Sequence, residues 1–310
     1  MSYRTANVIK WIAIALVLVA SNPGHAWNRG GHLVSCALAW RELSQTNLAA
    51  RDEARRVLEA HPAFTAWQNE LADNPAVDRG EALFMLAAAW PDDVRRGQFK
   101  RFDRPDWHYV NFAYTPGKPT ANVLASAPFN GQLLDQLVAN VGVYRDTKNA
   151  PALRAVALSW TLHLAGDLTQ PLHVTALVTK ELPDGDRGGN DLLVRASERG
   201  KKGIRLHKIW DDGASGTGGT LNAASQLAIE LSATKLPAPT GGDAAQLIRQ
   251  EAARSYGLAI DRVYLNGKLA FVLDEDAEAP LVPDGYTKQL KALSQEQMRR
   301  AGSLVAALLR

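Results

Sequence analysis

The sequence predicts a mainly α-helical chain, folded as one multi-helix bundle with a small β-hairpin. Three observations lead there. Apolar residues recur at helical spacing in eight runs, at about 31–45, 50–60, 79–96, 129–147, 151–169, 221–234, 243–264 and 286–309. Only DLLVRAS, around 191–197 and paired with GIRLH before Asp211, reads as strand. No internal repeat breaks this order, and the roughly 284 residues left after an N-terminal leader (310 less 26) suit one well-filled core.

Taken from the start, Arg4 and Lys10 bracket the entry to an apolar stretch over 11–20 that is too short to span a bilayer and fits a secretory signal peptide. Small residues at Gly24 and Ala26 mark a cleavage site, so residues 1–26 are expected to leave, and a functional domain over 27–310 begins at Trp27. That places the mature protein in the periplasm or outside the cell, with no membrane attachment after cleavage and no evident protein partner. The first helical run carries the chain's one cysteine, Cys36, within GHLVSCALAW. No intramolecular disulfide can form, a buried thiol is expected, and a Cys-rich metal site is excluded.

The run RDEARRVLEA ends at His61-Pro62, where the histidine is expected to cap the helix carbonyls. The run at 79–96 ends in WPDD, and that at 151–169 is closed by Pro171. GASGTGGT, after Asp212, lacks the lysine and the strand–helix setting of a phosphate loop and reads as a turn. DEDAEAPLVPDG, at about 274–285, reads as an exposed loop before the last helix.

Chemistry concentrates in one ordered set. Five of the seven histidines alternate with aspartates as His32, Asp92, His108, His163, Asp167, His173, His207 and Asp211. Neutral imidazoles and carboxylates are ligands of hydrolytic zinc, and this density points to several ions in one cleft. His163 and Asp167 stand four apart on one helical face, as do His207 and Asp211 in HKIWD, whereas Pro171 turns His173 away from the first pair. Trp27 adds an independent clue, because a free α-amino group loses its proton near about pH 8 and can chelate a metal together with its own carbonyl oxygen. Trp90, Trp107, Trp160 and Trp210 flank these ligands, where indoles shield and orient a site.

These segments resemble the S1/P1 nucleases, single-strand-specific nucleases and 3′-nucleotidases with three zinc ions. The resemblance rests on Trp27 with His32 five residues on, WPDD, WHYVNF, HLAGDLTQPLH, RGGND and HKIWD, in the family's order. It implies a mainly α fold of the zinc phospholipase C/P1 nuclease type. It also implies that Asp92, His108, His163 and Asp167 hold one zinc, that Trp27, His32 and the bridging Asp167 hold its neighbour, and that His173, His207 and Asp211 hold the third. The implied substrates are single-stranded DNA and RNA and nucleotides with a 3′-phosphate. The implied reaction is in-line attack by a metal-activated hydroxide oriented by Asp92, giving 5′-nucleotides. Arg95 matches a basic residue that steadies the phosphate. Tyr109 and Asn111 stand where the family stacks and reads a base, and Asn190 of RGGND shapes the cleft or occupies a tight turn.

Charge bears on the same reading. Without residues 1–26 the chain loses two basic and no acidic residues, so 35 minus 2 against 32 leaves about +1. No strong basic field draws in nucleic acid, and attraction falls to metal ions and to a local patch of Arg95, Arg96, Lys100, Arg101 and Arg104. Two rivals share the ligands: a zinc-dependent phospholipase C, whose first histidine follows its N-terminal Trp at a longer interval and whose last ligand is Glu, and a periplasmic zinc-binding protein without turnover.

Overall fold

The computed structural model describes residues 27–95, 97–123, 125–198, 201–213, 219–234, 239 and 242–310. The expected leader over 1–26, Arg96 and most of the GASGTGGT turn lie outside the described residues. Among the described residues, ten α-helices run in the order α1 Arg29–Thr46, α2 Leu48–Leu58, α3 Phe64–Asp73, α4 Arg79–Asp93, α5 Leu133–Arg145, α6 Pro151–Thr169, α7 Leu206–Asp212, α8 Leu221–Ser232, α9 Ala244–Leu258 and α10 Tyr286–Leu308.

Two helices form the centre. α1 packs against α4, α8 and α10, and α6 packs against α2, α4, α5 and α10. Both are buried round most of their circumference, which is why their sequences are apolar with little facial bias. Their starts follow local chemistry: the Asn28 side chain accepts from the Gly31 N–H to cap α1, Asp78 caps α4 through the Glu81 N–H, and Pro151 opens α6 where its missing N–H costs nothing. Gly166 of α6 lets the two helices meet, because a Cβ there would stand 2.9 Å from His32 Nδ1.

Sheet structure is small but sits at the site. The expected hairpin is present as β4 Leu193–Val194 against β5 Ile204–Arg205, and β5 runs directly into α7. A second sheet was not foreseen. β1 Val110–Tyr114 pairs antiparallel with β2 Asn130–Gly131 and parallel with β3 Thr175–Leu177. β1 follows His108 and β3 follows His173, and the Phe112 N–H to Val174 carbonyl bond of 2.9 Å locks the two segments together. The periodic reading extended α5 back to 129 because Phe129 and the later leucines fit one stripe, whereas Asn130–Gly131 belongs to the sheet. α3 was also missed, its ten residues carrying only Trp67 and Leu71 as buried apolar side chains.

Candidate metal centre and active site

Helices α1, α4, α6 and α7, with the segments that lead into β1 and β3, bring the eight predicted side-chain ligands into three groups, buried but for half-buried Asp92: His32/His163/Asp167, Asp92/His108/His163 and His173/His207/Asp211. Asp167 is fully buried at the junction. Its Oδ1 lies 3.3 Å from His32 Nε2, and its Oδ2 lies 3.2 Å from both His108 Nδ1 and His163 Nε2. Asp92, in the last turn of α4, faces the same nitrogens at 3.8–4.0 Å. His32 and His163 stack with ring centroids 3.9 Å apart. Trp27 is buried beside them, its indole N–H donating to the Gly166 carbonyl at 3.0 Å.

Backbone carbonyls orient three of the imidazoles. The Nδ1 of His163 lies 2.7 Å from the Ala88 carbonyl, that of His173 2.6 Å from the His108 carbonyl, and that of His207 2.6 Å from the Gly188 carbonyl. A ring that donates through Nδ1 presents the Nε2 lone pair to the opposite side, the tautomer a metal requires. Those lone pairs converge on carboxylates and on one another. His163 Nε2 and His108 Nδ1 approach to 2.8 Å. The Nε2 atoms of His32 and His173 and the Oδ1 of Asp167 are buried without a hydrogen-bond partner. Buried acceptors facing acceptors call for a cation, so the donor set fits divalent metal.

Electrostatics agree. Burial opposes charge on His163, yet Asp167 and Asp92 override it and push its pKa up to about 9. Burial likewise disfavours charge on Asp167, but the charge of His163 and the close imidazoles of His108, His163 and His32 hold it well below the usual carboxylate range. Asp211 shows the reverse: burial drives its pKa well up, and the Gln170 amide offsets only part. Gln170 is fully buried, accepts from the Leu172 N–H at 2.6 Å and donates to Asp211 Oδ1 at 2.8 Å. The first bond fixes the amide's orientation and hence the second. Asp211 thus sits in a pocket with a neutral donor and two imidazoles, His207 Nε2 at 3.3 Å and His173 Nε2 at 4.0 Å.

The profile of the family described as S1/P1 Nuclease matches residues 27–310. The chain belongs to the S1/P1 nuclease family. A curated relative, Endonuclease 4 of Arabidopsis thaliana, is 23% identical over 217 residues, covering 67% of this chain and 62% of that protein. The match therefore spans less than two thirds of the relative's own length.

In this S1/P1 nuclease chain a cavity of about 500 Å³ opens beside the metal groups, lined by His108, His207, Arg95, Tyr109, Asn111 and Asn190 among others. All the residues predicted for substrate therefore meet in one place. Arg95 Nη2 donates to Asp92 Oδ1 at 3.0 Å. Tyr109 is half-buried, with its hydroxyl at 3.5 Å from Asp106 Oδ1. Asn111 donates to Asn130 Oδ1 at 2.8 Å and leaves its own Oδ1 without a partner. Asn190 both lines the cavity and holds a turn, bonding the Arg187 carbonyl at 2.9 Å.

Several residues of the site were not singled out from sequence. Asp106, Asn130, Asp184, Arg187 and Asp191 line the cavity, and Gln170 positions Asp211. The glycines of RGGND were the available signal: Gly188 has φ +62, and a Cβ there would meet the Leu172 carbonyl at 2.2 Å, so its close approach sets the carbonyl that His207 uses. His61 departs from expectation. Its ring accepts the Ala63 N–H at 3.0 Å and stacks on Trp67, rather than capping helix carbonyls, because burial depresses its pKa to about 3 and leaves it a neutral acceptor. Trp160 shields the metal groups as expected, its ring lying edge-on to His108 and His163. Cys36 is buried and unpaired with another cysteine.

Proposed function

We propose that this chain is a zinc-dependent endonuclease and 3′-nucleotidase that hydrolyses the phosphodiester bonds of single-stranded DNA and RNA to 5′-nucleotides, and nucleotides with a 3′-phosphate to nucleosides and phosphate. The observation that carries this reading is buried Asp167, with one oxygen on His32 and the other on His108 and His163, while His108 and, from the third group, His207 line one cavity with Arg95 and Tyr109. Three zinc ions would be held by Asp92, His108, His163 and Asp167, by Trp27, His32 and Asp167, and by His173, His207 and Asp211. Zinc supplies Lewis acidity there, lowering the pKa of water towards neutrality and neutralising phosphate charge.

The protein's own groups do the rest. Asp92 is the most exposed carboxylate of the set, and against the cost of burial His163, His108 and His32 hold it ionised, so its oxygens accept a hydrogen bond from attacking water and orient it. Arg95, already anchored by Asp92, presents a guanidinium to the charge that develops on phosphate. Tyr109 offers a stacking face for one base, and Asn111 Oδ1 an acceptor for its edge. Asn190 shapes the opposite wall. The N-terminal segment acts as a signal peptide over 1–26, so that export to the periplasm or beyond frees the Trp27 amine of a domain over 27–310.

The deciding experiment assays the purified mature protein on single-stranded DNA, RNA, 3′-AMP and phosphatidylcholine, with elemental metal analysis. Release of 5′-nucleotides from the single-stranded DNA and RNA and of phosphate from 3′-AMP, with about three zinc ions per chain, is expected. Hydrolysis of phosphatidylcholine alone would mark a phospholipase, and bound zinc without any turnover a binding protein.

A further inference from the structure

A groove of about 330 Å³ lies along α5 and α6, lined by Trp160 and Leu153 of α6, by Ala139 of α5 and by Phe102, Arg104 and Trp107. It adjoins the active-site cavity through a thin wall. In the short helical turn over 105–107, Pro105 and Asp106 line the cavity, whereas Arg104 and Trp107, at its two ends, line the groove. The wall is therefore one turn of chain thick. Trp107 and Trp160 meet edge to face with centroids 4.8 Å apart, and Trp160 in turn contacts His108. The Arg104 guanidinium lies over Trp107 at 5.7 Å, and that of Arg101 over Phe102 at 4.8 Å.

We propose that this groove is a nucleobase subsite, which takes a base of the same single strand one or more nucleotides away from the scissile phosphate. The inference rests on the nuclease reading above. Single-strand sites combine flat π surfaces, which every base can stack on, with cations that follow the backbone. The groove supplies both: the Trp107 indole and the Phe102 phenyl ring at its rim, each carrying an arginine. Lys100, Arg101 and Arg104 form an exposed basic run that leads up to the groove, which Arg104 itself lines. Gln136 and Asn140 border the groove with amides, which can meet any base edge. Leu153, 51% exposed, is a large apolar side chain for which the fold itself has no use, and it completes the wall a base would cover.

The test measures kcat/KM of the zinc-loaded mature protein on 3′-AMP and on oligodeoxyadenylates of two to eight nucleotides. It compares wild type with Ala139→Glu and Leu153→Glu, two exposed positions on opposite helices that put a negative charge in the groove. In wild type, kcat/KM is expected to rise about tenfold or more as the strand grows long enough to reach the groove. In both variants that rise disappears while turnover of 3′-AMP is unchanged, and tryptophan quenching by a phosphorothioate oligonucleotide weakens about tenfold. The unchanged mononucleotide rate serves as the control for folding. A flat length profile in wild type, or a wild-type profile and quenching in both variants, overturns the subsite and leaves the nuclease reading intact. Failure of wild type to hydrolyse 3′-AMP and every oligonucleotide overturns the nuclease reading and the subsite with it. Groove-dependent self-association, lost in the variants while the length profile persists, identifies the occupant as a second copy and overturns the proposal.

Discussion

His173 Nδ1 lies 2.6 Å from the backbone carbonyl oxygen of His108. This one bond joins two of the three candidate metal groups, because His108 belongs to the Asp92/His108/His163 group and His173 to the His173/His207/Asp211 group. The peptide that follows His108 leads into β1, and the residue after His173 leads to β3, which pairs with β1 in parallel. The separation of the groups is thus fixed by sheet hydrogen bonds rather than by side-chain reach alone. A displacement of one strand would move a ligand in both groups.

Asp167→Asn should abolish hydrolysis, with activity falling at least a hundredfold. Asparagine keeps one carbonyl oxygen but loses the charge and the second equivalent oxygen, and Asp167 uses both oxygens, Oδ1 towards His32 and Oδ2 towards His108 and His163. Elemental analysis should show about one retained zinc per chain, in the His173/His207/Asp211 group. Near-normal turnover with full metal content would refute the bridging role.

Gln170→Leu tests the positioning of the third group. It removes the amide that donates to Asp211 Oδ1 and leaves the buried Leu172 N–H without its acceptor. Loss of such an outer partner costs about 10–100-fold in metal affinity. Competition with a chelator should therefore find one of the three ions bound more weakly by that factor and the other two unchanged. Uniform weakening of all three would show a general loss of fold instead.

Much of this was legible in the sequence because metal ligands must be of a few residue types and helices impose a spacing. The pairs His163/Asp167 and His207/Asp211 stand four apart and do face one another, at 3.2 and 3.3 Å. Pro171 does separate His173 from the helix that carries His163. What stayed hidden depends on pairing between distant segments. β1 to β3 are two to five residues long, too short for alternation to register, and their partners lie up to about 65 residues apart. The carbonyls of Ala88, His108 and Gly188 carry no side-chain signature at all. Gln170 is an ordinary polar residue until the fold places Asp211 beside it.

Asp186 should make stability depend on pH. It is fully buried, accepts from Tyr264 Oη at 2.8 Å and from the Leu177 N–H at 2.9 Å, and so ties the cavity loop to β3 and to the segment after α9. Burial raises its pKa to about 7, against the donors that lower it. A folded pKa above the unfolded one means that the native state holds the proton more tightly. Its stabilising contribution is complete below the ordinary value of 3.8 and is lost as pH rises through about 7. Asp186→Asn removes the titration, so the stability of wild type relative to the variant should fall by about 2–3 kcal/mol between pH 5 and pH 8. Urea unfolding of both proteins in chelator measures this. A difference that is flat with pH would place the carboxylate outside its assigned environment.

The most particular expectation concerns the proposed processing site. Trp27 is buried beside His32, with its indole fixed on the carbonyl of Gly166, the residue before Asp167 of the His32/His163/Asp167 group. If the Trp27 amine completes that group, a single residue left ahead of it converts the amine to an amide, which is planar, weakly basic and a poor ligand. Only His32, Asp167 and a carbonyl oxygen would then remain, and the affinity of that position should fall. Cytoplasmic protein with the leader replaced by an initiator Met should fold, as judged by circular dichroism. It should carry about one zinc fewer per chain and have activity reduced at least about a hundredfold. Export and cleavage before Trp27, verified by mass spectrometry of the N-terminus, should restore both. Because the indole anchor is present in either form, fold and packing stay constant and only the amine differs. Equal zinc content and equal specific activity in the two preparations would remove Trp27 from the metal centre.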